Sequence, residues 1–165
     1  MKRNIRTSVF ILIATLTAIV ISCNKDDDDD FTHVSALEQA IHNEINNYRS
    51  SVGLNELVLQ FAMVKEAQQQ STDWANNGSV DQTYTTGLTD RWTTVINKLG
   101  GTNNRTILQS WSGQVNAQTI VDSWINNPSM DSILVGEYTQ SGPGTASDSE
   151  GNLYVTQMFL NIPSK

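Results

Sequence analysis

The sequence is poor in cysteine, histidine and proline, with one cysteine, two histidines and three prolines in 165 residues. A single cysteine, Cys23, cannot form a disulfide within the chain, so its presence needs another explanation. The two histidines, His33 and His42, both precede most of the chain. Because a nucleophilic serine or cysteine usually needs a neighbouring histidine base, this scarcity disfavours such chemistry.

Basic residues are also few. Lys and Arg number 10 against 17 Asp and Glu, which gives a net charge of −7. Removal of residues 1–22 takes away three positive charges and no negative ones, so the remaining chain carries −10. We expect no nucleic-acid partner, because phosphates need a basic face, and no electrostatic docking on anionic lipid.

The N-terminus carries one long apolar run, Val9 to Ile21, which is interrupted only by threonines. Its 13 residues are too few for a helix to span a bilayer comfortably. The basic residues Lys2, Arg3 and Arg6 precede it, and this order predicts an export signal over residues 1–22. The alternative, a buried core helix, is disfavoured because charged segments flank the run on both sides.

The predicted signal ends with Val20-Ile21-Ser22-Cys23, which resembles the lipobox of bacterial lipoproteins. The resemblance implies that Cys23 becomes the mature N-terminus and carries acyl chains, so that a lipid anchor links the protein to the membrane. Two or more chains anchor a protein stably where one is marginal. The alternative, a lone buried thiol, leaves the odd cysteine unexplained.

A lysine and five aspartates, Lys25 and Asp26–Asp30, follow Cys23. Five like charges in succession repel one another and remain solvated. The run is similar to the surface-export signal of Bacteroidetes lipoproteins, which implies an outer membrane lipoprotein facing the cell surface; a plain spacer is the alternative. A flexible acidic stretch offers no fixed coordination geometry, so we expect no specific metal site there. Residues 23–33 are predicted to form this tether, and residues 34–165 a single domain.

Apolar residues at steps of three and four predict four helices in the domain. They extend over Val34–Val52, Gln60–Asn76, Leu88–Leu99 and Ala117–Asn126. Strands are predicted over Arg105–Ser112, Ser132–Gln140 and Leu153–Ile162. A polar loop is predicted over residues 79–87. Residues 141–152, which are rich in glycine and serine, are predicted to form a loop or a hairpin connection. This order indicates an α+β domain in which helices pack on an antiparallel sheet.

The motifs of the domain resemble those of a known family. The sequence HNEINNYRSSVGLNEL, from His42 to Leu57, is followed by VDSWINNP at 121–128, Ile133–Gly136 and LYVTQMF at 153–159. Their order and spacing resemble the CAP superfamily of cysteine-rich secretory, antigen 5 and pathogenesis-related domains. The resemblance implies an α-β-α sandwich, with Ile133–Gly136 and residues 153–159 as its final two strands.

The resemblance also implies a central cavity where two histidines and two glutamates commonly bind a divalent metal. The matching positions here are Gln82, Gln109, Asn127 and Met130. Amides and a thioether are poor substitutes for the imidazole and carboxylate ligands of such a metal. We therefore expect a degenerate cavity, with no metal, no cofactor and no catalytic residues at these positions.

Other side chains have structural and functional interpretations. His42 is expected to pair with Glu38 or to pack at the edge of the core. Trp74 and Trp124 are expected in the core, whereas Trp92 and Trp111 are possible ligand-binding residues that could stack on a carbohydrate. Asp148–Asn152 is similar to a calcium loop but lacks its acidic spacing, so a turn is favoured. Glu137 and Asp131 form no acid–base pair at a recognisable spacing.

Three functions remain open at this point. The leading hypothesis is a surface-anchored, non-enzymatic binding or interaction module whose ligand is a lipid, a glycan or a protein. The alternative is a cell-envelope hydrolase with an unidentified catalytic site, which would need a carboxylate of raised pKa in a concave site. The third is a purely structural surface protein without a pocket.

Overall fold

The computed structural model describes residues 33–77 and 85–163. The predicted export signal, Cys23 and the aspartate run lie outside the described residues. Residues from Phe31 to Lys165 form one compact unit, which contains its own hydrophobic core. In the part of the chain that is described, no helix has the length and apolar character needed to cross a membrane.

The unit contains five helices and four strands among the described residues. The helices are α1 (Ala36–Ser51), α2 (Phe61–Asn77), α3 (Leu88–Leu99), α4 (Ala117–Ile125) and α5 (Pro128–Leu134). The strands are β1 (Val58–Leu59), β2 (Thr102–Trp111), β3 (Gln140–Ser147) and β4 (Leu153–Asn161). The four predicted helices and the first and last predicted strands are confirmed, with ends that differ by at most three residues.

The strands form one sheet in the order β1-β3-β4-β2. β4 lies between β3 and β2 and is antiparallel to both, whereas the two-residue β1 is parallel to β3. Every residue of β4 except Asn161 is buried, because helices cover both faces of the sheet. The predicted α+β architecture, a CAP-like α-β-α sandwich, is confirmed.

Alternate residues of β4 pack against different helical layers. Its odd-numbered apolar residues, including Val155 and Phe159, pack with Ile41 and Ile45 of α1 and with Trp124 of α4. Its even-numbered residues pack against the second layer, which is formed by α2 and α3. Most residues of the strand are therefore apolar, since side chains on both of its faces are buried.

Helix α2 lies unusually close to β3. A Cβ atom added at Gly142 would be 2.4 Å from Met63 Cβ, and one added at Gly144 would be 2.1 Å from the Ala67 carbonyl carbon. Any side chain at these two positions would overlap with α2, so only glycine allows the backbones of β3 and α2 to approach so closely. The glycines of β3 are therefore a packing surface for α2.

The predicted loop over residues 141–152 is wrong in its first part, because residues 141–147 belong to β3. Odd-numbered residues of β3 turn their backbone groups away from β4: the Ser141 carbonyl accepts from the Gln60 N–H at 2.9 Å. The Thr145 N–H likewise donates to Glu38 Oε1 at 2.8 Å. Pro143 lies between them in the same alternation, so its missing N–H removes no bond to β4.

The predicted strand over Ser132–Gln140, and with it the final strand at Ile133–Gly136, is also wrong. Residues up to Leu134 belong to α5, and β3 begins only at Gln140. The side chain of Asn127 accepts from the N–H groups of Ser129 and Met130, and Pro128 occupies the first helical position. An amide cap followed by proline starts a helix, and Pro128 therefore begins α5 rather than only ending α4.

Candidate functional site

His42 lies on the buried side of α1 and is 6% exposed. Its Nδ1 is 2.9 Å from Ser141 Oγ on β3, and its Nε2 is 3.2 Å from Asn46 Nδ2. Burial lowers the pKa of His42 from its ordinary value, against an opposing effect of the Glu56 charge. The ring therefore joins α1 to the sheet in its neutral form, and both of its nitrogens are used by the fold.

The hydrogen-bond partners of Glu38 lie elsewhere than His42. Its Oε2 accepts from the Ser35 N–H at 2.8 Å, which completes a capping box, and from Gln68 Nε2 at 2.8 Å. Its Oε1 accepts from the N–H of Thr145 at 2.8 Å and from the hydroxyl of the same residue at 3.2 Å. The carboxylate thus connects the start of α1 with α2 and β3 and has little capacity left for a substrate.

The Tyr48-Arg49 pair of the HNEINNYR motif also holds the fold together. The buried Arg49 guanidinium donates to the carbonyls of Asn55, Leu134 and Gly136 at 3.0, 2.7 and 2.9 Å. Burial lowers its pKa. Tyr48 donates to Asp131 Oδ1 at 2.5 Å, and this bond raises the tyrosine pKa. The two side chains fix the end of α1 to α5 and to the chain that follows it.

The degenerate cavity positions do not form a cluster of acid–base groups. Gln82 lies outside the described residues. Gln109 is half-buried on β2, where its Oε1 accepts from Ser123 Oγ at 3.4 Å. Asn127 is exposed and caps α5, and Met130 is half-buried. Across residues 33–77 and 85–163, no group of three or more His, Cys, Asp and Glu is arranged to hold a metal.

The interior of the α1–α4 layer nevertheless keeps two polar atoms without a hydrogen-bond partner among the described residues. They are Nε1 of Trp124, which is fully buried, and Oε1 of Gln157 on β4. The Gln157 amide donates to the Met158 carbonyl at 3.0 Å. Sequence reasoning missed Gln157, because it lies within an otherwise apolar strand. An indole N–H and an amide oxygen do not titrate near neutral pH, so neither atom is a candidate general acid or base.

The two tryptophans proposed as ligand-binding residues have different surroundings. Trp92 is 7% exposed in the core between α3 and the sheet, and its Nε1 donates to Thr106 Oγ1 at 2.9 Å. Trp111 is half-buried and 6.5 Å from Trp124, measured between ring centroids. Trp111 also lines a small pocket of about 160 Å³ with Asn152 and Tyr154. Of the two side chains, Trp111 is the more accessible to a ligand.

Residues 148–152 form the predicted turn. Asp148 Oδ1 accepts from the N–H groups of Glu150 and Asn152, both at 2.9 Å, and Oδ2 accepts from Asn152 Nδ2 and the Tyr154 hydroxyl. These bonds, with the Asn152 side chain first among them, lower the pKa of Asp148. The carboxylate is therefore used to close the turn between β3 and β4.

An apolar pocket of about 350 Å³ lies at the outer side of β2. Leu88 of α3 forms one wall, Met130 and Ile133 of α5 form the other, and Thr106, Ile107 and Leu108 of β2 lie between them. We call this the edge pocket. Sequence reasoning identified Met130 only as a position that had lost a metal ligand. The pocket itself was missed, because three separate elements line it.

Comparison with solved structures shows the same fold in other proteins. An outer surface protein of Borrelia burgdorferi matches with a TM-score of 0.66 at 17% identity, over 79% of this chain and 96% of that chain. An extracellular protein containing a SCP domain, from Bacillus anthracis, matches with a TM-score of 0.61 at 21% identity. That match covers 76% of this chain but 40% of the Bacillus chain, so the likeness concerns one part of a longer protein.

A cysteine-rich secretory protein from Staphylococcus aureus gives a TM-score of 0.57 at 18% identity, over 76% of this chain and 38% of its own. No curated protein matches the chain. The family model described as CAP, the cysteine-rich secretory protein family, matches residues 42–159, which is more than half of the sequence. The match begins at His42 and ends at Phe159 in β4, so it includes both helical layers and the sheet. The chain therefore belongs to the CAP family of cysteine-rich secretory proteins.

Proposed function

We propose that the protein is an exported, lipid-anchored CAP domain that acts as a non-enzymatic binding module at the cell surface. The observation that carries this proposal is the use of its buried ionisable side chains. His42, Glu38 and Arg49 each direct their polar atoms into hydrogen bonds that hold α1 to the rest of the fold. A general acid or base needs a polar atom within reach of a substrate, and these groups offer none.

The edge pocket is the proposed ligand site. Concave, mostly apolar sites with a few polar groups are typical of ligand binding. The edge pocket contains no ionisable side chain: apolar residues predominate, and Thr85, Thr106 and Ser129 add hydroxyl groups. A purely structural surface protein would have no need for such a pocket. The ligand classes considered for it are a lipid, a glycan and a protein segment.

The proposed location follows from the N-terminal sequence and from the relatives. Cys23 would carry the acyl chains, and the run Asp26–Asp30 would hold or route the domain outward. Two of the similar structures are described as an outer surface protein and an extracellular protein, which supports an exported domain. An outer membrane lipoprotein facing the surface is the form that we propose.

Two assays on the chain starting at residue 24 test the absence of catalysis. We expect isothermal titration with zinc, calcium and magnesium to show no tight stoichiometric site, and incubation with peptidoglycan or casein to release no product. A stoichiometric, tight metal site would contradict the degenerate cavity. Hydrolysis that is lost in His42→Gln but kept in the control Glu44→Gln, on the same helix, would favour the hydrolase instead.

A further inference from the structure

β2 is an edge strand whose second half lacks the usual protection. Within the described part of the chain it pairs only with β4, so one side of its ten residues is open. Natural proteins usually protect such edges with charges, prolines or bulges. Here a bulge lies between Thr102 and Arg105, but the six residues after Arg105, TILQSW, contain neither a charge nor a proline.

The register of the sheet identifies the backbone groups on this open edge. The backbone N–H and C=O groups of odd-numbered β3 residues point away from β4. The backbone groups of even-numbered residues of β3 and β4 therefore bond to each other. The odd-numbered residues of β4 therefore bond to β2, through partners such as Ile107 and Gln109. Because successive strand residues direct their N–H and C=O groups to opposite sides, Thr106, Leu108 and Ser110 direct theirs to the open edge.

The open edge passes through the edge pocket. Thr106–Leu108 lie between Leu88 of α3 on one face of the sheet and Met130 and Ile133 of α5 on the other face. Side chains of a strand added at this edge would alternate between the two faces. One set would contact Leu88, and the other would contact Met130 and Ile133.

We propose that this edge binds an extended segment of a partner protein, which adds to the sheet as a further strand beside β2. This inference rests on the proposed binding function and names the ligand class of the same site. Main-chain hydrogen bonds to Thr106, Leu108 and Ser110 provide affinity, and apolar side chains at alternate positions of the segment provide selectivity.

Other occupants fit the edge less well. A lipid would contact the apolar walls but leave the N–H and C=O groups of Thr106, Leu108 and Ser110 without partners. In a second copy of this chain, α3 and α5 also lie on the two faces beside β2. If the two β2 edges paired, these helices would meet α3 and α5 of the first copy. A single extended segment satisfies the backbone groups and enters between the helices.

The first test uses a phage-displayed library of random ten-residue peptides, selected on the chain starting at residue 24. This chain contains the whole compact unit. Enriched peptides are synthesised, and hydrogen exchange of backbone amides is measured by NMR. We expect the amides of Thr106, Leu108 and Ser110 to exchange rapidly in the free protein and to be protected by the peptide. Slow exchange in the free protein would overturn the inference, because the edge would already be paired.

The second test compares Ser110→Pro with the matched control Ser110→Ala. Ser110 is exposed, and its N–H faces the open edge, so proline removes one donor without breaking a bond to β4. Pro143 occupies the equivalent outward-facing position of β3, which shows that the sheet tolerates proline there. We expect Ser110→Pro to weaken peptide binding about tenfold, the equivalent of one hydrogen bond, and Ser110→Ala to change it less than about twofold. Equal affinities of the two variants would overturn the inference.

A third comparison separates this inference from the binding function itself. Palmitate serves as an apolar probe, and Met130→Lys places a charge in the edge pocket. One outcome is that palmitate binds the parent chain and Ser110→Pro equally but does not bind Met130→Lys, and that no peptide is enriched. The pocket would then bind an apolar ligand, and the peptide inference would be overturned. A concentration-dependent dimer that Ser110→Pro makes monomeric would also overturn it, in favour of a second copy. The proposed function fails independently, by tight metal binding or hydrolysis in the assays above.

Discussion

Several ionisable side chains of this CAP domain are used by the fold itself. The clearest case is His42, whose side chain connects α1 with Ser141 of β3 and with Asn46. A buried neutral imidazole has a consequence that can be measured. Folding keeps the ring unprotonated at a pH where the unfolded chain would already bind a proton, so stability depends on pH.

The pKa of His42 is lowered by folding, so its contribution is fully present above the unfolded-state pKa of about 6.5 and is lost as the pH falls through the folded-state pKa. We expect the free energy of unfolding, measured by urea denaturation, to fall between pH 7.5 and 5.5 by up to about 1.4 kcal/mol per pH unit from this group. His42→Gln should remove this part of the decrease. An identical decrease in the variant and the parent chain would show that His42 does not titrate in this window.

The motif that contains His42 shows what sequence reasoning captures at the residue level. The HNEINNYR stretch predicted a helix and a family, and both were found. The partners of Glu38 and Arg49 were not predictable, because they lie on β3 and around α5, about 100 and 85 residues further along the chain. His42 was expected to pair with Glu38 or to pack at the edge of the core. It is buried, and the Glu38 carboxylate is used by a capping box and by Gln68 and Thr145.

At the level of elements, the errors concern α5, which was predicted as part of a strand, and β3, which was predicted as a loop or hairpin connection. Glycine and proline in SGPG are typical of a loop, and a local rule assigns them to one. In β3, Gly142 and Gly144 instead admit the backbone of α2, and Pro143 lies where its missing N–H faces away from β4. Both reasons depend on neighbours distant in sequence. The four predicted helices and β4 were predictable because the apolar patterns that indicate them involve residues close together in the sequence.

The contact between α2 and β3 gives a prediction at this level. Gly144→Ala would place a Cβ 2.1 Å from the Ala67 carbonyl carbon, so α2 has to move away from the sheet. We expect a loss of at least about 3 kcal/mol in the free energy of unfolding, measured in urea. Gly151→Ala is the matched control: its φ is +82° and no atom lies within 4 Å of the new Cβ, so the backbone strain alone should cost about 1 kcal/mol. A smaller loss at Gly144 than at Gly151 would contradict the close approach of α2.

At the scale of the whole molecule, the proposed function assigns separate tasks to the compact unit and to the N-terminal residues that precede it. The unit from Phe31 to Lys165 has its own core and the edge pocket, and the proposed anchor at Cys23 precedes it. The anchor is a prediction from the sequence alone, based on a local motif of four residues. The edge pocket was not predicted, because its walls come from α3 and α5 and its floor from β2.

This separation predicts that anchoring and folding respond to different substitutions. In a Bacteroidetes host fed an alkyne-labelled fatty acid, we expect the parent chain to be labelled and to sediment with membranes, and Cys23→Ser to be unlabelled and released. The urea midpoint of the unlipidated domain should be the same with cysteine or serine, because residue 23 precedes the compact unit. Replacement of Asp26–Asp30 by serines should keep the label but remove the protein from the reach of proteinase K added to intact cells. Labelling that persists in Cys23→Ser would place the acyl chains elsewhere, and unchanged protease access in the serine variant would make the aspartates a plain spacer.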